Sequence, residues 1–356
     1  MRKSLIILCS SLLLIIAGWQ VADFITYKKE IKPAYKEEDL KSNYTVITVS
    51  AVGDCTFATD INATGSGSFV NEVKAVNYDY THFLKNVSDI FNKDNLTIVN
   101  FEGTLSERGT RADKEFAFRG NPEYVNILTS SSVEAVNLSN NHSRDYGDIS
   151  KDDTKAIMSE NDIVWFEGDN FTVTEVNGIK IGLIGTNTQR SNEVSAFIEN
   201  LEKLKALSPD LIIANFHWGE ELAHSPNATQ KNLAHTAIDN GADLVIGHHP
   251  HVLQGIEKYK NKYILYSLGN FCFGGNKNPT DKDTMIFQQT FLFENGKLRP
   301  KERVSVIPCS ISSEKTRNNY QPTPLLGDDF KRVKKKIIER SKDFEGIENI
   351  EFIEKK

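Results

Sequence analysis

Short apolar runs rich in β-branched residues recur along this chain and leave it few ways to fold. They are Thr45–Val52, Leu96–Asn100, Ala135–Leu138, Ile163–Phe166, Ile179–Ile184, Leu211–Asn215, Leu244–Ile246 and Tyr263–Ser267. Each is apolar on both faces, as strands buried in the middle of a layered protein are. Between most of them lie segments with helical spacing: Tyr80–Phe91, Glu123–Leu128, Asp153–Met158, Val194–Leu207 and Thr229–Asn240, the last closed by Gly241. This alternation implies a layered α/β architecture. Asn177-Gly178 and Asn295-Gly296 stand between strand-like runs and read as tight hairpin turns, so antiparallel strands are expected among parallel ones.

At 356 residues and 39% hydrophobic, the chain has enough apolar material for a substantial core. Its 42 basic and 48 acidic residues leave a net charge of −6, which excludes the electrostatic footprint of a general nucleic-acid binder. Residues 1–27 stand apart: Met1, Arg2 and Lys3 precede a nearly unbroken apolar run from Leu5 to Val21, the pattern of a membrane anchor or signal segment. Cleavage after Ala17 would place Ile15 at the −3 position, and cleavage after Ala22 would place Gln20 there, so retention as a transmembrane helix is favoured. The charge pattern then puts a single-pass anchor in the cell membrane and the rest of the chain outside the cytoplasm. Residues 28–44 read as a charged linker, residues 45–310 as the main domain, and residues 311–356 as a helical C-terminal tail with a Lys-rich helix at Asp328–Ser341. Four cysteines are too few for a disulfide framework; for Cys55 and Cys272, free thiols are favoured over a bridge.

The residues that follow the runs carry chemistry. Thr45–Val52 leads into Gly53-Asp54, Leu96–Asn100 into Phe101-Glu102, and Ala135–Leu138 into Ser139-Asn140-Asn141-His142. Leu211–Asn215 leads into Phe216-His217-Trp218-Gly219-Glu220-Glu221, and Leu244–Ile246 into Gly247-His248-His249-Pro250-His251. Strand ends of open α/β sheets face one crevice, so these groups are expected to converge. Carboxylates, neutral imidazoles and an amide oxygen suit one or two divalent ions such as Mn²⁺, Fe²⁺ or Zn²⁺. His249 and His251, on either side of Pro250, are expected to project together from a stiff extended turn. Taken singly, each element has a plainer use: an Asp after a strand caps a helix, Asn-Asn makes a turn, and Trp218 lines a core or wall. His82, His224 and His235 lie outside the pattern. The stretch from Arg108 to Arg119, with Arg111 and Lys114, is either a solvated loop or a set of cations that hold a carboxylate or phosphate in the crevice.

The strings Ala51-Val52-Gly53-Asp54, Asn100-Phe101-Glu102, Asn140-Asn141-His142, His217-Trp218-Gly219-Glu220-Glu221, Gly247-His248-His249-Pro250-His251-Val252 and Tyr266-Ser267-Leu268-Gly269-Asn270-Phe271 resemble, in order, the CapA family of poly-γ-glutamate capsule biosynthesis proteins. That family is in turn similar to the calcineurin-like metallophosphoesterases. The resemblance implies a four-layer sandwich with mixed sheets and two metals at strand ends. It makes Asp54, Glu102, Asn141, His217, His249 and His251 the metal ligands and His142 the general acid. His248, Glu220, Arg111 and Arg119 become candidate substrate contacts. One departure stands out: metallophosphoesterases usually open with Asp-x-His, and here Thr56 occupies the histidine's place, which implies a weaker or missing ion. The implied function is synthesis, export or attachment of poly-γ-glutamate, with that anionic polymer and membrane capsule-synthetase subunits as partners. Two alternatives stand beside it: a separate extracytoplasmic metal-dependent hydrolase of phosphoesters or amides, and a polymer-binding module with a vestigial site.

Overall fold

A computed structural model describes residues 44–355; the expected membrane segment and nearly all of the linker lie outside the described residues. Among the described residues no helix is long and apolar enough to cross a membrane. The first half of the chain runs β1 (Tyr44–Thr56), α1 (Phe69–Ala75), α2 (Lys85–Phe91), β2 (Leu96–Phe101), β3 (Thr104–Leu105), β4 (Arg119–Gly120), α3 (Asn126–Thr129), β5 (Ala135–Asn137), α4 (Gly147–Glu160) and β6 (Val164–Phe166). It continues through β7 (Thr172–Val176), β8 (Ile179–Asn187), α5 (Ser191–Ala206), β9 (Leu211–His217), α6 (Ala228–Asp239), β10 (Leu244–His248), β11 (Ile256–Tyr259) and β12 (Lys262–Leu265). The last part is β13 (Asn270–Phe273), β14 (Asp283–Glu294), β15 (Lys297–Ser310), β16 (Thr323–Pro324), α7 (Gly327–Arg340) and β17 (Glu351–Phe352).

Two mixed sheets result. Sheet one has the order β16-β15-β14-β1-β2-β5-β6, with β13 also on β1 and β17 on β15. Its β1, β2, β5 and β6 pair in parallel, whereas β14 and β15 are antiparallel. Sheet two has the order β11-β12-β10-β9-β8-β7, parallel from β8 through β9 and β10 to β12 and antiparallel at both edges. Both Asn-Gly pairs make the turns expected of them: Asn177 and Gly178 (φ 51° and 79°) join β7 to β8, and Asn295 and Gly296 (φ 52° and 73°) join β14 to β15.

The apolar faces sort into layers. Ile47, Ile98 and Phe287 of sheet one pack against Leu183, Ile213 and Ile246 of sheet two in one core between the sheets. The outer face of sheet one meets Val87, Ile127 and Met158 of α2, α3 and α4. The outer face of sheet two meets Phe197, Leu201 and Leu204 of α5, at helical spacing, and Ala234 and Ala237 of α6. The arrangement is therefore helix, sheet, sheet, helix. Fully buried strands explain why their sequences read as continuous apolar runs rather than as alternating ones.

Two expected helices are shorter than their periodicity suggested. Tyr80–Phe91 divides into a 3-10 turn at Tyr80–His82 and α2, because Leu84 (φ −114°, ψ 6°) leaves helical geometry while its side chain is buried. Glu123–Leu128 is a 3-10 turn at Pro122–Val125 running into the single turn of α3. The segment after residue 310 holds the expected helix, α7, but also β16 and β17, which both pair with β15. Through Val333 and Ile337, α7 contributes to the core between the sheets.

Candidate metal centre

Sheet one brings oxygen donors. Asp54 lies near the end of β1, Glu102 directly after β2, and Asn141 in the turn after β5. Position 53 has to be glycine: a Cβ there would meet Gly269 O at 2.0 Å, where the Asp54 N–H donates to that carbonyl at 3.0 Å. This close approach sets Asp54 opposite Asn270 of β13. Asp54 is fully buried; its Oδ1 accepts from Asn100 Nδ2 (2.8 Å) and its Oδ2 from His249 N–H (3.3 Å). Glu102 is also fully buried, with Oε1 3.7 Å from His142 Nε2 and 3.9 Å from both His217 Nε2 and His251 Nε2.

Sheet two brings imidazoles. His217 ends β9, His248 ends β10, and His249 and His251 follow it. His217 Nε2 sits 2.9 Å from Asn141 Oδ1, across the gap between the sheets. The rings of His217 and His249 are 4.7 Å apart, and those of His249 and His251 5.8 Å. The turn that carries the last two is not extended, as the sequence suggested. His249 (φ 95°) and His251 (φ 58°) both adopt left-handed backbone, and this is how side chains two residues apart reach a common point.

Electrostatics separate the donors. Burial acts to raise the Asp54 carboxyl, but His248 (3.3 Å) and His251 (3.1 Å) beside it outweigh that and hold it well below the usual carboxylate range. The His248 contact is electrostatic, since neither of its ring nitrogens has hydrogen-bonding geometry. Burial pushes Glu102 up to about 8. It also pulls His217 well below the usual imidazole value and His249 down to about 4. Burial works against charge on His251 as well, but Glu102 and Asp54 prevail and lift it to about 9.

His142 stands over Glu102 as part of a small relay. Its Nδ1–H donates to Asp145 Oδ2 (2.6 Å), so Nε2 is the nitrogen that faces the cluster. Lys114 Nζ donates to Asp145 Oδ1 (2.8 Å) and to Asn141 O (3.2 Å), tying the relay to the turn that carries Asn141. Phe118 packs on the imidazole, with ring centres 4.4 Å apart.

The structure thus brings together Asp54, Glu102, Asn141, His142, His217, His248, His249 and His251. Other candidates have different partners. Arg111 pairs with Asp60 (2.7 Å), and Arg119 lies over the Tyr146 ring (4.0 Å) while donating to Arg108 O (2.9 Å). Glu220 is exposed. Trp218 is core, its Nε1–H donating to Tyr266 O (2.9 Å), and Cys55 and Cys272 are buried free thiols. The sequence motifs include Glu221 and Asn270 without assigning them a role, and they leave out Asp145 and Gln189. Gln189 Nε2 lies 3.0 Å from His249 Nε2, and Asn270 Oδ1 2.9 Å from His251 Nδ1. An acid three residues after His142, one turn away, was a signal that could have found Asp145.

These residues fit a divalent ion. Both carboxylate oxygens of Glu102 and Nδ1 of His249 are buried without a hydrogen-bond partner, a costly arrangement unless something else binds there. Asp54, Glu102 and His251 can present ligand atoms within 4.8 Å of one another, and so can Glu221, His249 and His251. The mixed carboxylate and imidazole donors suit Mn²⁺, Fe²⁺ or Zn²⁺.

Two mixed sheets between helices, with this donor set at the strand ends of both, agree with the metallophosphoesterase-like class that the motifs implied. Within it, the chain belongs to the family of bacterial capsule synthesis proteins PGA_cap, whose model matches residues 48–275. It is 31% identical over 284 residues to the PGA biosynthesis protein CapA of Bacillus subtilis (strain 168), covering 72% of this chain and 70% of that one. It is 28% identical over 330 residues to the capsule biosynthesis protein CapA of Bacillus anthracis, covering 85% and 74%. A hypothetical protein from Thermus thermophilus overlaps 74% of this chain and 98% of its own at a TM-score of 0.43 and 17% identity.

Proposed function

We propose that this protein works in poly-γ-glutamate capsule assembly as a membrane-tethered, extracytoplasmic protein whose metal centre cleaves the polymer, beside membrane synthetase subunits. The observation that carries the reading is the buried Glu102 carboxylate, unpartnered and ringed by His142, His217 and His251. When bound, a divalent ion there would polarise the scissile group and lower the pKa of water toward ~7. The chain's own contribution is orientation and proton transfer: Asp145 and Lys114 fix His142 so that Nε2 points at the cluster, and because burial lowers its pKa, Nε2 takes the proton of the attacking water before passing it to the leaving group. The kinship with capsule synthesis proteins supports the polymer as substrate.

The test is elemental analysis of the detergent-purified full chain, wild type beside His249→Ala/His251→Ala, with turnover of poly-γ-glutamate and of a phosphodiester on the same samples. Metal lost in the variant together with cleavage of the polymer supports the proposal. Turnover of the phosphodiester alone would instead make this a separate phosphoesterase. Folded wild type that cannot be loaded with Mn²⁺, Fe²⁺ or Zn²⁺ would leave a polymer-binding module.

A further inference from the structure

Resting on the metal-centre reading above, we propose that Glu221 is a ligand of the centre, a carboxylate that the loop between β9 and α6 sends down to an ion held by His249. Sheet two would then supply an oxygen donor as well as imidazoles.

The first observation is proximity. A Glu221 carboxylate oxygen can lie within 4.8 Å of ligand nitrogens of His249 and His251, a second group of donors beside Asp54, Glu102 and His251. The neighbouring Glu220 is in neither group. His249 needs a partner, because its Nδ1 is buried and unpartnered and its Nε2 meets only the side-chain amide of Gln189. Carboxylate and imidazole together make a donor set that Mn²⁺ and Zn²⁺ both accept.

The second observation is how firmly the loop is fastened to the histidine turn. The Leu222 N–H donates to Pro250 O at 2.8 Å, so the residue after Glu221 is pinned to the proline between the two histidines. Upstream, the Trp218 N–H donates to His248 O at 3.1 Å. Downstream, Gln254 Nε2 donates to Ala223 O (2.9 Å), and Gln254 is itself held by Gln230 Nε2 (3.0 Å), whose residue closes the capping box of α6. Leu222 takes φ 60°, a left-handed conformation unusual for leucine, and Gly219 takes φ 80°. Glu221 is exposed, yet among the described residues no Lys or Arg pairs with it. A rigid loop thus holds a carboxylate with no Lys or Arg partner against a buried imidazole whose Nδ1 is unpartnered.

The experiment is calorimetric titration of the metal-free full chain with Mn²⁺, comparing wild type, Glu221→Gln and Glu220→Gln, with bound Mn²⁺ counted by electron paramagnetic resonance. We expect Glu221→Gln to lose one bound ion or to weaken its binding at least tenfold, and Glu220→Gln to match wild type. Circular dichroism of both should be unchanged, since both side chains are exposed. Wild-type binding by Glu221→Gln would overturn the inference and leave the metal centre standing. Equal weakening in both variants would also overturn it, by showing long-range charge in place of ligation. Wild-type protein that takes up no Mn²⁺ would remove the metal-centre reading and this inference with it.

Discussion

The two sheets meet at the centre on unequal footing. Sheet one holds Asp54 through a chain of amides: Asn137 Nδ2 donates to Asn100 Oδ1 (2.9 Å), and Asn100 Nδ2 to Asp54 Oδ1 (2.8 Å). None of Asp54, Glu102 and Asn141 lies at positive φ. Sheet two carries His249 and His251 on left-handed backbone, which costs on the order of 1–3 kcal/mol at each such residue. The His249 ring has an unsatisfied nitrogen as well. Sheet one's aspartate is therefore part of the fold with or without an ion, while His249 of sheet two awaits one.

The largest effect expected from this contrast is at Asp54. Asp54→Ala takes the acceptor from Asn100 and the counter-charge from His251, and should cost about 3–5 kcal/mol in urea unfolding with chelator present. A loss below about 1 kcal/mol would mean the fold does not depend on this carboxylate. Next comes His249→Ala. Its metal-free stability should stay within about 1 kcal/mol of wild type. Wild type should gain about 2.7 kcal/mol in Mn²⁺ at a hundredfold excess over Kd, and the variant should gain nothing. If metal-free His249→Ala falls as far as Asp54→Ala, the contrast is broken.

The opposite strand ends extend the comparison. Ahead of β10, Asp243 is satisfied by the Ile212 N–H (2.9 Å) and Lys262 (2.5 Å). Ahead of β2, Asp94 accepts from Thr97 Oγ1 (2.7 Å) but keeps Oδ1 unpartnered, and burial, with help from Glu134, pushes its carboxyl up to about 7. Between its ordinary value and about 7, folded Asp94 keeps a proton that the unfolded chain has lost. Stability should therefore fall as pH rises through that window, by up to about 4 kcal/mol, and Asp94→Asn should flatten the slope. An unchanged slope in the variant would assign the dependence to other groups. The smallest effect is at the loop over the histidines: Asn227→Ala, which opens the capping box of α6, should cost about 1 kcal/mol in thermal unfolding.

Much of this could be read in the chain itself, for reasons that also explain the misses. Buried strands had to be apolar on both faces, and the residues after them had to share one rim, so Asp54, Glu102, Asn141, His217, His249 and His251 were legible together. Which of two adjacent carboxylates lies near the histidines was not: Glu220 is the one the sequence offers as a substrate contact, but φ 60° at Leu222 and its bond to Pro250 bring Glu221 to the histidines. The left-handed turn at His249 and His251 was equally hidden, because Pro250 fixes its own φ and favours extended backbone at His249, which points away from a positive φ. The strands β16 and β17 have two residues each, too few to show any periodicity. Arg111 and Arg119 drew attention by charge alone, and charge says nothing about which partner lies nearest.

One last consequence concerns the order of folding. β1 lies inside sheet one, flanked by β2 and β14 with β13 also alongside, so its neighbours come from residue 96 and from beyond residue 269. The first strand made waits longest for its partners, with an unpaired edge in the meantime, and pairings so far apart in sequence form slowly. The family match ends at residue 275, but β14 begins at Asp283. Expression of residues 44–275 should yield aggregated protein, and a soluble fragment that unfolds cooperatively would refute this. On this view the length of chain needed to fold exceeds the length that marks the family.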